Sequence, residues 1–81
     1  GIYMTVVIKS RYLKELMFLK GHNLSTLADE VGISISYMSQ IINGKRTPSA
    51  MLATKISKEF GVSVEELFTF RVKEETTCSN S

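Results

Sequence analysis

The fold is decided by residues 23–43, which read NLSTLADEVGISISYMSQIIN. Apolar residues in the first half recur three and four positions apart, the spacing of one helix face: Leu24, Leu27, Ala28 and Val31. Gly32 interrupts that pattern. Ser34 then suits the N-cap of a second helix, with Ile33 and Met38 placed as a hydrophobic staple. The stretch predicts two short helices that meet at a tight turn and bury their apolar faces against each other.

The second of these helices leaves a short, polar and uncharged outer face, which suits the recognition of base edges: Ile35, Ser36, Tyr37, Ser39, Gln40 and Asn43. No acidic residue lies between Glu30 and Glu59, although several basic residues do. A local basic surface is what a phosphate backbone requires, even at a formal net charge of only +2. The charge distribution alone is equally compatible with a solvated face.

Length and composition limit the classes of protein to which this sequence can belong. A length of 81 residues with 43% hydrophobic and 22% charged residues is typical of one small globular domain. No apolar run approaches the roughly 18 residues needed to cross a bilayer, so we expect no membrane role. The single cysteine, Cys78, allows no internal disulfide and favours a cytoplasmic location. His22 has no convergent partners in the sequence, so we expect no enzyme activity, metal or other cofactor, and no small-molecule ligand is evident.

Both ends of the chain have strand-like composition. Residues 2–8 are rich in β-branched and aromatic types, and residues 68–73 alternate apolar and polar side chains. We expect the two segments to pair antiparallel and to pack on helices, because a lone two-stranded ribbon is marginal in water. The segment beyond residue 73 lacks apolar content, which predicts a single domain over residues 1–73 and a disordered tail over residues 74–81.

Five short helices are expected between these ends. They run from residue 9 or 10 to 20, from the Asn23 cap to Gly32, from residue 34 or 35 to 42, and over residues 50–60 and 64–68, with Ser63 and Glu66 forming a capping box. The predicted fold is mainly α, with a two-stranded antiparallel sheet made by the chain ends. Its expected core comprises Leu13, Leu16, Met17, Leu27, Ala28, Val31, Ile33, Met38, Ile41, Leu52, Ile56, Phe60, Val62 and Leu67.

Three runs carry a family resemblance: ADEVGIS (28–34), MSQIINGKRTPS (38–49) and FGVSVEELF (60–68). Together they resemble the Xre/Cro/C1 family of bacterial and phage repressors, over about residues 9–68. The resemblance implies a five-helix lambda-repressor-like DNA-binding domain, used as a homodimer on a palindromic double-stranded operator. The strand-like ends are similar to a smaller subset of compact dimeric repressors that carry a terminal two-stranded sheet.

The resemblance also implies roles for individual residues. The third helix would lie in the major groove, with base contacts from Ile35, Ser36, Tyr37, Ser39 and Gln40. Phosphate contacts would come from Asn23, Ser34, Asn43, Lys45, Arg46 and Thr47. The sequence departs from the family pattern at Leu24, where many members have Gln, at Ile42, which replaces an often acidic residue, and at Ile35, which replaces a polar one. Specificity is therefore expected to depend on methyl contacts and DNA shape.

Two functional hypotheses follow. The first is a sequence-specific transcription regulator, a repressor, and the residues do not separate a phage-type repressor from a restriction–modification controller. The alternative is an antitoxin-like module that uses the same fold to bind another protein. A dimer is favoured by aromatic residues in excess of what five short helices can bury: Tyr12, Phe18, Phe68 and Phe70.

Overall fold

The computed structural model describes the backbone of residues 2–74 and the side chains of residues 3–72. Five helices lie between two strands, in the order β1 (Ile2–Ile8), α1 (Ser10–Lys20), α2 (Leu24–Val31), α3 (Ile35–Ile42), α4 (Ala50–Glu59), α5 (Val64–Leu67) and β2 (Phe68–Glu74). The predicted class, mainly helical with a two-stranded sheet formed by the chain ends, is confirmed.

Polar N-caps set the starts of four helices. The side chains that accept first-turn N–H groups belong to Asn23, Ser34, Ser49 and Ser63. Two predicted helix ends lie one residue too far along the chain. Phe60 is the C-cap of α4 rather than its last residue, and Phe68 has extended backbone angles that begin β2. Both differences have one cause: an apolar side chain can continue into the core after the helix itself has stopped.

The two strands pair antiparallel from Ile2 opposite Glu74 to Ile8 opposite Phe68. Side chains of directly paired residues share a sheet face, so Val6, Ile8 and Phe68 all point towards the helices, where they are buried. The predicted tail began at residue 74, but Glu74 belongs to β2. Residues 75–81 of that prediction lie outside the described residues.

The sheet is a layer of the core rather than an addition to it. Phe68 is 1% exposed, so counting it among the excess aromatic residues was wrong. The core also contains three residues that the prediction omitted, Val6, Ile8 and Ala53. Four predicted core members are only partly buried: Leu16, Met17, Ile33 and Val62. The predicted core contained helix residues alone, although the strands were expected to pack on the helices.

The other aromatic residues singled out from the sequence divide by position. Tyr12 packs partly buried against the core. Phe18 near the end of α1 is 85% exposed, and Phe70 on β2 is 44% exposed. Phe18 on α1 and Phe70 on β2 therefore remain outside the core.

Ser57 provides a test of the core. Its hydroxyl is buried in α4 and has no hydrogen-bond partner within the described part of the chain. An unpaired buried hydroxyl destabilises the folded state, and alanine is the better helix former. We expect Ser57→Ala to leave the free energy of unfolding unchanged or raise it by up to about 1–2 kcal/mol in urea denaturation. Ser63→Ala, which removes a cap, should lower it by about 0.5–2 kcal/mol. Equal destabilisation by both variants would contradict this account.

Candidate nucleic-acid interface

The joint between α2 and α3 sets the direction of α3. Gly32 has a positive φ of 80°, and its N–H donates to the Ala28 carbonyl at 2.9 Å. The Ile33 N–H donates to the same oxygen at 2.9 Å. A Cβ at Gly32 would meet nothing within 4 Å, so the demand for glycine comes from the backbone angle and not from lack of space. With Ala28 buried between the helices, α2 and α3 approach closely and at a fixed angle.

The face of α3 opposite the core is exposed. Met38 and Ile41 are buried, which turns Ser36, Gln40 and Asn43 outward together because these residues lie about one helical turn apart. The structure also exposes the predicted contact residue at the start of α3, Ile35, at 49%. Ser39 is half-buried, and its Oγ accepts a hydrogen bond from Asn43 Nδ2 at 3.4 Å. The outer face therefore consists of neutral side chains with unused donors and acceptors.

Tyr37 lies at the edge of this face instead of at its centre. Its ring packs partly buried against the core, and the Arg46 guanidinium carbon is 5.1 Å from the ring centroid. That separation is within the range of cation–π attraction. The sequence analysis grouped Tyr37 with the base-contacting residues. In the structure its ring forms a platform that holds Arg46 beside α3.

Two contacts fix the end of α3 and the loop that follows. The Ser10 hydroxyl donates to the Ile42 carbonyl, which ties the start of α1 to the last turn of α3. Gly44 has a φ of 74°, and a Cβ there would lie 3.8 Å from Val7 Cγ1 on β1. The loop therefore begins beside strand β1. Its exposed residues are Lys45, Arg46 and Thr47.

Asn23 caps α2 through a reciprocal pair of hydrogen bonds. Its Oδ1 accepts from the Thr26 N–H at 2.8 Å, and its own N–H donates to Thr26 Oγ1 at 2.8 Å. The backbone N–H of Asn23 is therefore occupied, which leaves its side-chain Nδ2 for the predicted phosphate contact. Helix geometry leaves the N–H groups of Leu24 and Ser25 without intrahelical acceptors. Because threonine stands where a capping box usually has Glu or Gln, the sequence analysis missed this box.

Ser34 plays the same structural role for α3. Its Oγ accepts from the Tyr37 N–H at 3.1 Å, while the residue itself stays exposed. The cap uses the hydroxyl oxygen as an acceptor, so the hydroxyl hydrogen remains able to donate. Ser34 thus stands beside Ile35 at the start of α3, with a donor suited to a phosphate oxygen.

His22 links the turn before α2 to the end of α4. Its Nε2 is 2.7 Å from Glu59 Oε2, its Nδ1 is 2.9 Å from Thr26 Oγ1, and its ring packs edge-on to Phe60 with centroids 5.7 Å apart. Among residues 3–72 no cluster of metal-ligating side chains occurs. The histidine therefore holds the cap of α2 in place.

Charges around α3 are basic. The ion pair between His22 and Glu59 is the only one formed by the described side chains, so neither Lys45 nor Arg46 is neutralised by a carboxylate there. The exposed face of α3 is flanked on one side by this basic loop and on the other by the start of α2. Such an arrangement offers neutral hydrogen-bonding groups in the middle and cations or N–H donors at the borders.

Comparison with known proteins places this geometry in a family. The helix-turn-helix family HTH_3 matches residues 13–67. The HTH-type transcriptional regulator YvzC of Bacillus subtilis, described as uncharacterized, is 30% identical over 63 residues, which are 78% of this chain and 82% of YvzC. Regulator MJ0272 of Methanocaldococcus jannaschii, described in the same words, is 43% identical over 51 residues, 60% of this chain and 77% of that protein. YgzD of Bacillus subtilis is 34% identical over 56 residues, with 69% and 85% covered.

The chain therefore belongs to the Xre-type helix-turn-helix family of transcriptional regulators. Membership implies DNA binding, and the family does not consist of enzymes. The matched region begins within α1 and ends at the last residue of α5, so both strands lie outside it. None of the helices between residues 2 and 74 is long and apolar enough to span a membrane.

Proposed function

We propose that the protein is a sequence-specific repressor, acting in the cytoplasm, that binds a palindromic operator as a homodimer with α3 in the major groove. The observation that carries the proposal is the neutral exposed face of α3 with cations or N–H donors on both of its borders. Contacts from the middle of the face to base edges supply specificity. Contacts from its borders to phosphates position the protein on the DNA, as in other DNA-binding proteins. Occupation of an operator by a rigid protein is sufficient to exclude other proteins from the same DNA.

Gln40 is the strongest base reader on α3. Its exposed amide can bond bidentately to the N6 and N7 of adenine. Ser36, one turn earlier, can serve several bases, and Ile35 offers a methyl surface to thymine. Ser39 is half-buried, so its hydroxyl reaches a base only where α3 lies close to the floor of the major groove. Tyr37 acts through Arg46, because its ring is already engaged by that side chain.

The groups on the two borders of the α3 face bind phosphates of the two DNA strands. On one side, Asn23 Nδ2 and the first N–H groups of α2 donate to phosphate, aided by the positive end of the helix dipole. On the other side, Lys45, Arg46 and Thr47 contact phosphates from the loop, while Asn43 at the end of α3 contacts phosphate from the side that faces Leu24 of α2. The Ser34 hydroxyl donates to a phosphate beside Ile35.

A single copy reads too little DNA for a specific operator. The eight residues of α3 span about 12 Å, the length of about three to four base pairs. A second copy doubles the site, and two-fold symmetry makes it palindromic, with the reading helices about 34 Å apart.

The exposed end of the sheet suits the second copy. Met4 and Val72, 61% and 67% exposed, continue the face whose other end is buried on the helices. A groove of about 200 Å³ lies beside them, lined by Val6, Phe70, Pro48 and other apolar or hydroxyl residues with no charged group. Projecting side chains and a receiving groove on the same uncharged face are self-complementary, as an isologous interface requires.

In-vitro selection from random double-stranded DNA tests the function directly. We expect an enriched palindrome whose half-site centres are one helical turn apart, about 10 base pairs. Footprinting on the selected DNA should protect both half-sites at one protein concentration. Selection without enrichment, combined with capture of a single protein partner that covers α3, would support the antitoxin-like alternative and overturn the repressor.

Substitution of Gln40 separates base reading from phosphate binding. Gln40→Ala should weaken binding to the selected operator by about 1–3 kcal/mol and leave binding to random DNA nearly unchanged. Arg46→Ala should weaken both and reduce the slope of log K against log salt concentration by about one unit. Fluorescence anisotropy across a salt series measures both effects. Equal losses on the two DNAs for Gln40→Ala would remove its base-reading role.

Substitutions on two apolar surfaces test the dimer. Val72→Glu should convert the dimer to a monomer in analytical ultracentrifugation, because it places a charge on the apolar sheet face that the two copies would share. Phe18→Glu is the matched control on α1, where the residue is more exposed but lies on a different surface, and it should leave the dimer intact. A wild-type mass that stays monomeric as concentration rises would refute the dimer, and dissociation by Phe18→Glu alone would move the interface to α1.

A further inference from the structure

One depression lies on the side of the molecule that carries the exposed face of α3. It is lined in part by Lys14, a residue to which no function has yet been assigned. It measures about 250 Å³ and lies where α1, the start of α2 and the second half of α3 meet. Its floor is apolar, made by Met17, Leu24 and Ile42. Its rim carries Lys14 and Asn43, with Ser39 beside them, so the polar groups surround an apolar base.

The position of Lys14 is determined by the packing of α1. The Ser10 hydroxyl is bonded to the Ile42 carbonyl, which places that stripe of α1 against the end of α3. Lys14 follows Ser10 by four residues and Met17 follows Lys14 by three, so all lie on the same helix face. Lys14 is exposed and forms no ion pair with the side chains described between residues 3 and 72. Lys14 therefore places a cation on the lining of the depression that also contains Asn43.

This combination fits one nucleotide of a DNA backbone. A deoxyribose has an apolar face bordered by phosphates, which matches an apolar floor with donors on its rim. Asn43 Nδ2 uses one hydrogen towards Ser39 Oγ at 3.4 Å, and its second hydrogen remains for a phosphate oxygen. Leu24 cannot supply a hydrogen bond from its side chain, so the charge for this border of the interface has to come from another element.

We propose that Lys14 of α1 and Asn43 of α3 together hold one phosphate of the operator, with the adjoining sugar seated on Met17, Leu24 and Ile42. This inference rests on the proposed DNA-binding function and adds α1 to the interface. It predicts a contact that carries no base information, because neither the floor nor the rim reaches a base edge. Lys14 therefore contributes affinity on every sequence.

A purely structural role for Lys14 makes different predictions. A cation near the last turn of a helix also stabilises that helix through its dipole, and Lys14 lies beside the end of α3. In that case its removal would lower the stability of the free protein and leave the salt dependence of DNA binding unchanged. The salt slope counts phosphates neutralised in the complex, at about 0.9 unit for each one. It therefore distinguishes the two roles.

The experiment measures binding of the full chain to the selected operator and to random DNA over a salt series, with urea denaturation in parallel. Lys14→Gln should reduce the salt slope by about one unit on both DNAs and lower affinity by a similar factor on each. Lys14→Arg should retain the slope. Lys58→Gln is the matched control, since it removes the same charge from an exposed position in the last turn of α4.

A double variant tests whether the two side chains share one phosphate. Lys14→Gln combined with Asn43→Ala should lose less affinity than the product of the two single losses, because either change already breaks the shared site. A Lys14→Gln slope equal to that of wild type, or equal to that of Lys58→Gln, would overturn the inference while wild-type operator binding leaves the proposed function standing. Failure of the wild type to select any DNA would overturn both.

Discussion

The left-handed backbone at Gly32 is the constraint on which the DNA-binding surface depends. It allows α2 to end and α3 to begin within a few residues, with both Gly32 and Ile33 donating to the carbonyl of Ala28. Side chains longer than that of Ala28 would separate the two helices at their closest approach. The angle of α3 is thus set by backbone geometry and by one small residue, and the proposed contacts of α3 with DNA depend on that angle.

Contacts from the rest of the chain hold α3 in place. Ser10 binds its last carbonyl, Val7 lies against Gly44 in the following loop, and Tyr37 retains Arg46 next to it. These contacts come from β1, α1 and α3 itself, so elements distant in the sequence lie against the end of α3. Preformed positions reduce the conformational entropy lost on binding, so phosphate contacts of modest individual strength remain useful.

Most of the local structure could be predicted from the sequence because its signals are local. Glycines that stop helices and hydroxyl or amide caps that start them act within a few residues, and they placed α1 to α3 closely. Phe68 and Tyr37 show where this reasoning fails. The burial of Phe68 depends on strand β1, which lies some 60 residues away in the chain. Tyr37 lies at the edge of a helix face, where the sequence does not predict whether its ring faces solvent or packs against Arg46. The spacing of apolar residues identifies the buried face of a helix. It does not predict whether residues at the edge of that face are buried or exposed.

For the candidate site, the structure shows where the predicted residues lie, and their binding roles stay predictions. Individual residues of α3 and its loop carry recognisable chemistry, whereas Lys14 gains its proposed role only through the packing of α1 against α3. The Thr26 capping box was missed for a simpler reason, since threonine at that position is a weak signal in a sequence. The base-reading and phosphate-binding roles themselves remain proposals that rest on geometry.

The position of Val7 beside Gly44 has a consequence for folding and for affinity. The sheet joins residues 2–8 to residues 68–74, the most distant pairing in the chain, whereas α1 to α3 are built from near neighbours. Contacts of high sequence separation carry the larger loop-closure entropy and form late. The loop after α3 therefore gains Val7 as a neighbour only when the ends of the chain have met. Fraying of the sheet would remove that neighbour from the loop, so strand residues outside the proposed DNA interface would influence the entropy that the loop loses on binding.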